Sequence, residues 1–507
     1  MVKLYLIFND VNFYLIHKRW GLIILFLVLR MVYNPMLGQE SLGQSLGNYS
    51  GVWGGLLNPA SLTSNKVFLD VNIAGAQVHF SNNFAYIPYK DYSLFGLITA
   101  DTIIPKYGKY LYNGYYTYFK NQHHKWARIN SRIMGPSAMF QNGKNAFAVS
   151  SSIRFASSGM DIPWETLVFM YEDLTYEPLQ GIRFDDSDFS FSLLTWEELA
   201  FSYAGVIYDR NGNQLSAGIT GKLLFGLNGG YSEFRIVDYI AIDSKTVDFY
   251  RFQTNVAFAM PSTGLASSFS HPFSSVGFGL GADVGFTFIK KSNRYSDNRG
   301  YRPCEFAYED YSYKVGLAIL DLGGISFHKD TELHTFNVED VTLNTDDLDT
   351  LKGMTADVGM RYLSKLMLGD SNASLKDNKM RIGLPTALSL QFDWHALGSY
   401  YVGMVWIQPL HFHLKDTKRA AQIAVIPRYE TRMLGISLPL SLYQYERWRF
   451  GLALRFYTLT VGTECMGTIL DFKDMDSVDF YFSFKFNLDK GRCNSFKRGA
   501  CAKKRDW

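Results

Sequence analysis

The residues most able to do chemistry in this sequence do not form a known catalytic motif. The 507 residues contain no Walker, His-Glu-x-x-His or EF-hand pattern, which mark the common nucleotide-binding, zinc-protease and calcium-binding sites. Gly43-Gln44-Ser45-Leu46-Gly47 has the Gly-x-Ser-x-Gly spacing of hydrolases, but it does not follow a predicted strand as that motif requires. We therefore expect no enzymatic activity, no catalytic residue and no cofactor.

Candidate metal ligands are also sparse. His411 and His413 would share one face of a strand, but no acidic residue or third histidine lies at a useful spacing, so a turn or interfacial position is the alternative. The acidic run 185–188 does not have the spacing of a calcium loop and is better explained as a solvated turn. No Cys-x-x-Cys pair occurs, and we expect no metal site. The last two cysteines either pair or remain free thiols, the four being Cys304, Cys465, Cys493 and Cys501.

Charged side chains inside alternating stretches are a stronger signal. Each lies on the polar face of a segment whose other face is apolar. If the apolar face contacts lipid, a charge on it would cost about 2–4 kcal/mol at the bilayer midplane, so these groups must point into an enclosed lumen. There they either pair with one another and with a plug or line a substrate path. The eight are Asp70, Lys222, Asp283, Arg447, Arg449, Arg455, Asp479 and Lys485.

The composition favours strands. Aromatic residues make up 16% of the chain and charged residues 19%, with 43 Gly and only 14 Pro. Abundant Tyr and Phe with many glycines are typical of strands and exclude a disordered chain. The net charge of +3 is too small for the basic surface that nucleic acids require, so no nucleic-acid partner is expected.

The N-terminus has the pattern of an export signal. Lys18 and Arg19 precede an apolar run at 21–29 that ends at Arg30. A transmembrane helix needs about 20 apolar residues, whereas a signal-peptide core needs about 7–15. We expect residues 1–38 to be a signal peptide cleaved near Gly38. The alternative, an uncleaved anchor helix, is disfavoured because charged and polar residues interrupt the run.

From residue 67 onward, apolar and polar or small residues alternate with the period of two that strands require. In 478–487, Val and four Phe share one face while Asp, Tyr, Ser, Lys and Asn share the other. A soluble sandwich alternates too. Export, strands of about 10–16 residues, and aromatic clusters near strand ends favour a membrane barrel instead. A sheet with a lipid-facing surface must close, because unpaired edge groups cost several kcal/mol each in hydrocarbon.

The alternation predicts an all-β fold: a closed antiparallel transmembrane β-barrel of about 14 strands, with an N-terminal plug and a short helical insert. Asn142-Gly143 and Asn211-Gly212 are favoured hairpin dipeptides and predict tight turns. The predicted strands are 67–81, 131–142, 145–157, 196–209, 214–227, 244–260, 272–290, 312–328, 380–395, 398–410, 420–430, 433–443, 447–461 and 476–487.

Four regions follow from this assignment. After the signal peptide come a plug at 39–66, a barrel at 67–487 that contains a partly helical insert at 329–379, and a basic tail at 488–507. A barrel of about 14 strands is wider than eight-stranded barrels, which side chains fill, and narrower than barrels of 16 to 18 strands, which leave a channel. We therefore expect a plug inside it. If both ends of the barrel chain are periplasmic, the insert also lies on the periplasmic side. The connections on the extracellular side are then 82–130, 158–195, 228–243 and 291–311. A periplasmic insert of that length is atypical. Either the predicted number of strands is off by one in this region, or the insert is a periplasmic module or a segment that folds inward.

Several short blocks carry a family resemblance. They are Gly55-Leu56-Leu57-Asn58-Pro59-Ala60-Ser61-Leu62, residues 315–323, Gly383-Leu384-Pro385-Thr386-Ala387-Leu388 and Val478-Asp479-Phe480-Tyr481-Phe482. With these blocks the chain resembles a family of uncharacterised outer-membrane barrels from the Bacteroidota, itself similar to the long-chain fatty-acid transporter type and to the barrel subunit of type IX secretion. The resemblance implies that Asn58, Pro59 and Ala60 belong to the plug. The insert and the basic tail have no counterpart in the fatty-acid transporter.

The expected location is therefore the outer membrane of a Gram-negative cell, with outer-membrane lipid as a partner. By analogy of fold, the leading hypothesis is passive uptake of a small hydrophobic or amphipathic compound. The alternative is a scaffold or accessory subunit of an envelope or secretion assembly, which docks a periplasmic or envelope protein through the insert and the tail. A secreted soluble β-protein is the third hypothesis.

Overall fold

The computed structural model describes residues 41–99, 116–260, 275–292, 311–351 and 353–488. The predicted signal peptide, the tail beyond 488 and three of the four cysteines lie outside these ranges. The first strands are β1 Leu69–Asn82, β2 Ala85–Tyr86, β3 Thr117–Tyr118, β4 Lys125–Met134, β5 Ser137–Asn142, β6 Asn145–Ile162, β7 Arg183–Asp186, β8 Phe189–Arg210, β9 Asn213–Ala241, β10 Thr246–Ala259, β11 Gly277–Lys291 and β12 Tyr311–Phe327.

The later strands are β13 Thr331–Asn344, β14 Leu375–Asp377, β15 Met380–Gly383, β16 Ala387–Leu397, β17 Tyr400–Pro409, β18 Gln422–Glu430, β19 Leu434–Ser437, β20 Leu440–Tyr443, β21 Arg447–Phe450, β22 Leu452–Phe456, β23 Leu459–Thr463 and β24 Ser477–Leu488. The helices are α1 Leu42–Ser45, α2 Val52–Gly55, α3 Leu94–Thr99, α4 Trp164–Glu172, α5 Thr345–Asp349, α6 Ala356–Leu368 and α7 Met466–Ile469, with 3₁₀ helices at Pro59–Ser64 and Glu177–Leu179. No helix in the described ranges is both long enough and apolar enough to cross a membrane.

The strands close into a barrel of fourteen antiparallel strands, which confirms the predicted fold class. Closure is made by β1, which pairs with β24 on one side and with β4 and β5 on the other. Some barrel strands are interrupted once and count as one strand in two segments. The order around the ring is β1, β4/β5, β6, β8, β9, β11, β12, β15/β16, β17, β18, β19/β20, β21/β22, β23 and β24.

The two faces of the barrel wall differ in polarity. On β24, Phe480, Phe484 and Phe486 are exposed on the outer surface, whereas Asp479 and Lys485 are buried in the lumen. Successive side chains of a strand point to opposite faces, so the alternation seen in the sequence becomes this separation. The pattern is the inverse of a soluble protein, in which the apolar face is the buried one.

The two ends of the barrel also differ. The end where Leu69 pairs with Leu488, which carries most of the short turns, is called the inner end. The opposite end, which carries most of the long connections, is called the outer end. At the inner end, the predicted Asn211-Gly212 turn is confirmed: both residues have positive φ and lie between the paired Arg210 and Asn213. The Asn142-Gly143 hairpin also forms, but the residues between its last pair are 143 and 144. Both are two-residue loops, which suit the twist of antiparallel strands.

The predicted strand count is correct although two of its members are wrong. The strand predicted at 244–260 exists as β10, but it pairs with the outer part of β9 and with β13, outside the ring. The strand predicted at 447–461 is instead two strands, β21/β22 and β23, joined by a tight turn after Phe456. A period-two pattern marks each strand but does not reveal which neighbours it pairs with, so these two errors cancel.

The same error reverses the predicted side of two connections. Because β10 is not a barrel strand, β11 ends and β12 begins at the inner end, so the connection predicted at 291–311 starts and finishes there and not at the outer end. Residues 293–310 themselves lie outside the described ranges. The insert 329–379 leaves β12 at the outer end and returns at β15, which corrects its predicted inner placement. The insert is partly helical, as predicted, because it contains α6. This helix ends before Gly369, which has the left-handed conformation that commonly closes helices. It also contributes strands β13 and β14.

Above the outer end lies a second packed layer, here called the cap. It contains β7, the outer part of β9, β10, β13 and helices α4 and α6. β9 loses its pairing with β11 after Gly226 and continues into the cap, where residues 229–241 pair with β10 and residues up to Phe234 still pair with β8. Val168, Tyr239, Phe336 and Met367 belong to its hydrophobic core. The loops predicted at 158–195 and 228–243 are therefore largely ordered strand and helix.

Candidate functional site

The inner half of the lumen is filled by residues 42–66. Asn58 begins the 3₁₀ helix, because its side-chain oxygen accepts a hydrogen bond from the backbone nitrogen of Ala60 at 2.9 Å, and Pro59 suits the first helical position. The Asn58 amide nitrogen donates to Gln391 at 2.8 Å and to the carbonyl of Phe286 at 3.0 Å. These bonds attach the segment to two separate strands of the wall.

Pro59 and Ala60 lie directly against the wall. A Cβ atom added to Gly218 of β9 would lie 2.5 Å from the backbone nitrogen of Ala60. Real Cβ atoms do not approach a backbone that closely, so glycine at this position allows the contact. The sequence-predicted trio of Asn58, Pro59 and Ala60 is thus brought together at one point of the lumen wall.

An ion pair holds the start of the same segment. Asp70 and Lys485, from the adjacent strands β1 and β24, are 3.3 Å apart and both buried. Asp70 accepts from the backbone nitrogen of Val52 at 2.8 Å, while Lys485 donates to the carbonyls of Tyr49 and Ser50 at 2.6 and 2.8 Å. Two of the predicted lumen charges therefore bind the plug rather than an open path.

A second anchor was not predicted. Asn48 donates to Glu430 at 2.9 Å and accepts from Lys314 at 2.9 Å. Arg428 joins Glu430 to Asp393, at 2.8 and 2.9 Å. The alternation could have identified these residues, since Arg428 and Glu430 are in phase with the buried face of β18.

A charge network crosses the middle of the lumen. Lys222 lies 2.6 Å from both Asp283 and Asp321, and Arg154 lies 2.8 Å from Asp321 and 2.9 Å from Glu198. Lys222 and Asp283 were predicted to face the lumen, and the other three were missed. All five are buried, so the network is desolvated and depends on its internal pairing.

The remaining predicted charges lie on the last strands. Arg449 donates to Ser81 at 2.6 Å and stacks on Tyr443, with 3.5 Å between the guanidinium carbon and the ring centre. Asp479 accepts from Thr463 at 2.9 Å. Arg447 pairs with Asp476 near the outer rim. Arg455 donates to the carbonyl of Arg432 at 3.0 Å, near the inner rim.

Apolar side chains occupy the outer part of the lumen, above the charge network. The ring of Phe327 covers Gly226 and Gly277, where a Cβ atom would lie 2.7 and 2.6 Å from it. Trp196 donates to Glu198 at 3.3 Å and so joins this layer to the charges below. We call this layer the mouth cluster; its main members are Leu194, Trp196, Leu224, Tyr231, Phe327, Ile382 and Leu384.

The space between plug and wall is of a different kind. The cavity there is lined by polar groups such as Ser45, Asn58, Lys314, Gln391 and Asp393. A lining of this type suits water or a polar group rather than an apolar compound. Any site for an apolar compound is therefore better placed at the mouth cluster than at the plug.

No group of three potential metal-ligating side chains occurs among the described residues. His411 and His413 are exposed and lie between β17 and β18, not on a strand, so the shared strand face considered for them does not exist. Cys465 is buried and has a free thiol.

Comparisons with known proteins give a family and several similar folds. The model of a family of unknown function, DUF5723, matches residues 59–464. No curated protein matches the chain. The toluene transporter TbuX of Ralstonia pickettii is similar in fold, at 9% identity and a TM-score of 0.39, over 90% of this chain and 100% of that one. The toluene transporter TodX of P. putida has 9% identity and a TM-score of 0.38, over 87% and 95%.

A FadL homologue from Pseudomonas aeruginosa has 7% identity and a TM-score of 0.21, over 90% of this chain and 99% of that one. At these identities and scores the matches carry no argument about what this chain does. The resemblance to Bacteroidota proteins and to the type IX barrel subunit is not tested by these matches and stays a prediction.

Proposed function

The chain belongs to the DUF5723 family of unknown function, and from that premise we propose that it is an outer-membrane barrel for passive inward passage of a small hydrophobic or amphipathic compound. The proposed location rests on the apolar outer surface of the wall. Exposed there are Phe278 and Leu280 on β11, Leu317 on β12 and Phe450 on β21. A closed barrel satisfies its backbone hydrogen bonds internally, as hydrocarbon requires.

The observation that carries the proposed activity is the mouth cluster. Lower in the lumen, apolar contacts join the plug to the wall beside ion pairs and hydrogen bonds. Above the plug, Trp196, Phe327, Ile382 and Leu384 form a separate apolar layer. Burying an apolar compound against such side chains is favourable by roughly 25 cal/mol per Å² of apolar surface. The plug below it closes the inner half, so passage would require the plug to shift.

Uptake by proteoliposomes tests this proposal. We expect faster entry of toluene or decanoate into vesicles that contain the protein than into empty vesicles, and no change for glucose. Ile382→Asn should remove the gain because it places an amide in the mouth cluster, whereas Ile382→Val should keep most of it. Equal uptake by both variants and the wild type, or no gain over empty vesicles, would refute the proposal.

A scaffold role is the second candidate, and one observation favours it. The plug is attached to the wall through buried ion pairs and hydrogen bonds at Asp70, Asn48 and Asn58, which suits a barrel that stays closed. In this role the insert, which supplies β13 and α6 of the cap, would meet its partner at the outer end. A pull-down with the full chain and with residues 331–379 deleted tests it, since a scaffold should lose a stable partner on deletion while its barrel stays folded.

A further inference from the structure

The connection between β17 and β18, residues 410–421, enters the lumen instead of standing above it. Thr417 donates through its hydroxyl to the carbonyl of Gly383 at 2.9 Å, and Gly383 donates its backbone N–H to Asp416 at 2.9 Å. Thr417 and Ala420 are buried, whereas His411 and Phe412 near the start are exposed. We call residues 410–421 the crossbar.

The crossbar reaches the opposite wall of the barrel. The backbone nitrogen of Lys418 donates to the hydroxyl of Ser158 at 3.2 Å, and Ser192 donates to the carbonyl of Asp416 at 3.3 Å. Arg128 donates to the carbonyl of Arg419 at 2.5 Å. These partners lie on β6, β8 and β4, which are halfway or nearly halfway around the ring from β17 and β18. The chain therefore spans the width of the lumen.

The crossbar lies at the height of the mouth cluster and is tied to the charges below. Gly383, its partner on β15, stands between Ile382 and Leu384 of that cluster. Arg419 lies 3.5 Å from Asp321, the carboxylate that also pairs with Arg154 and Lys222. The same segment thus contacts both layers of the outer lumen.

We propose that the crossbar is the outer barrier of the lumen and decides what enters it. It blocks the centre of the outer lumen, so that polar solutes have no wide aqueous route through the barrel. Apolar compounds can still enter along the lumen wall, which is lined there by the mouth cluster. The inference rests on the proposed function for its biological meaning. The barrier itself follows from contacts on opposite walls and can be tested without transport.

Cysteine accessibility tests the barrier. Ser152 is a buried lumen residue on β6, six positions further inward than Ser158, or about 20 Å at 3.3 Å per residue. Ser152→Cys is introduced into the full chain with its four native cysteines changed to Ser. The purified barrel in lipid nanodiscs is then labelled with a small, charged methanethiosulfonate reagent.

Two crossbar variants are compared with the parent. In one, residues 412–419 are replaced by Gly-Gly, which is too short to cross the lumen, and in the other Asp416→Ala is combined with Thr417→Ala. We expect labelling at position 152 to become about tenfold faster in the first, as when a local opening is eased by about 1.4 kcal/mol, and to rise less in the second. Asp340→Cys on the exposed surface of the cap should label equally in all backgrounds.

Equal labelling at position 152 in the parent and in the folded variants overturns the barrier. If the shortened chain does not fold, which its loss of heat-modifiable migration in SDS would show, the double substitution decides alone. Faster labelling without uptake of the apolar probes would support the barrier while refuting the proposed function. Uptake of the apolar probes with unchanged labelling at position 152 would support the proposed function while refuting the barrier.

Discussion

At the scale of single residues, the lumen is held together by buried charges whose partners come from distant parts of the chain. Asp321 is the hub, because it pairs with Arg154, Lys222 and Arg419. It reaches them from a β-bulge, with φ at +54° and a shift of the β11 and β12 register beside Asp283. Bulges commonly redirect a side chain in this way.

Asp321→Asn should destabilise the barrel by about 3–5 kcal/mol, because removing one partner leaves buried cations without compensation. Urea unfolding in detergent, followed by heat-modifiable migration in SDS, measures the change. Asp346→Asn is the matched control, since Asp346 is largely exposed and pairs with Lys245 on the surface at 3.6 Å. A loss at Asp321 no larger than at Asp346 would show that the network is not structural.

The close contact of plug and wall gives a second prediction at this scale. Gly218→Ala should push the plug away from β9 and cost about 1–3 kcal/mol, since its Cβ would lie 2.5 Å from the backbone of Ala60. Limited proteolysis at residues 42–66 should then become faster. Gly221→Ala on the same strand has no atom within 4 Å of its added Cβ and should change nothing. Similar proteolysis of the two variants would contradict the contact.

At the scale of elements, β9 connects the barrel to the cap. Its inner part pairs with β8 and β11 in the ring, and its outer part pairs with β10 outside the ring. Asp238 on the outer part lies 2.7 Å from Arg183 on β7 and 3.3 Å from Arg251 on β10. One carboxylate therefore joins three strands of the cap.

Acid should loosen the cap through Asp238. Hydrogen bonds from Arg183, and then Arg251, hold the pKa of this carboxyl below its ordinary value. A depressed pKa in the folded state stabilises the fold above the ordinary pKa of about 4, and that stability is lost as the pH falls below it. Hydrogen-exchange protection at 229–241 should therefore decrease below about pH 4.

Asp238→Asn should remove that pH dependence and lower protection at neutral pH. Asp340→Asn, at an exposed position of β13, serves as the control and should leave the profile unchanged. A flat profile in the wild type would contradict the role assigned to Asp238.

At the scale of the whole molecule, polarity is inverted: apolar side chains cover the outside of the wall, and the buried charges lie on its inside. Leu317 of β12 is exposed on the wall, beside Phe286 of β11 and Leu390 of β16. An outward-facing apolar band of this kind is typical of barrels whose outer surface contacts the hydrocarbon of a membrane. The proposed membrane location therefore rests on the closed ring and this band together.

Leu317→Arg should destabilise the barrel in lipid by about 2–4 kcal/mol if the band contacts acyl chains at mid-depth. Val358→Arg on α6 of the cap is the matched control, because Val358 is equally exposed but lies above the barrel, and it should be nearly neutral. Folding yield in vesicles, read by heat-modifiable migration, measures both. Equal effects of the two arginines would argue against a lipid-facing wall.

The sequence by itself determined the local features of this protein. Period two marks the strands and the polarity of their faces, as on β24, and two dipeptides mark their hairpins. These properties depend on neighbours within a few residues, so they are readable from the chain. Arg428 and Glu430 follow the same alternation on β18 and can be identified in the same way.

Only the tertiary structure decided which strands share the ring, where the insert lies and which charges meet. Asp321 is out of phase with the alternation of β12 and turns inward only at its bulge, whose partner strand is β11. The crossbar likewise carries no strand pattern and gains its role from contacts halfway around the barrel. Such features arise from pairing between residues far apart in sequence, for which a single chain has no local signal.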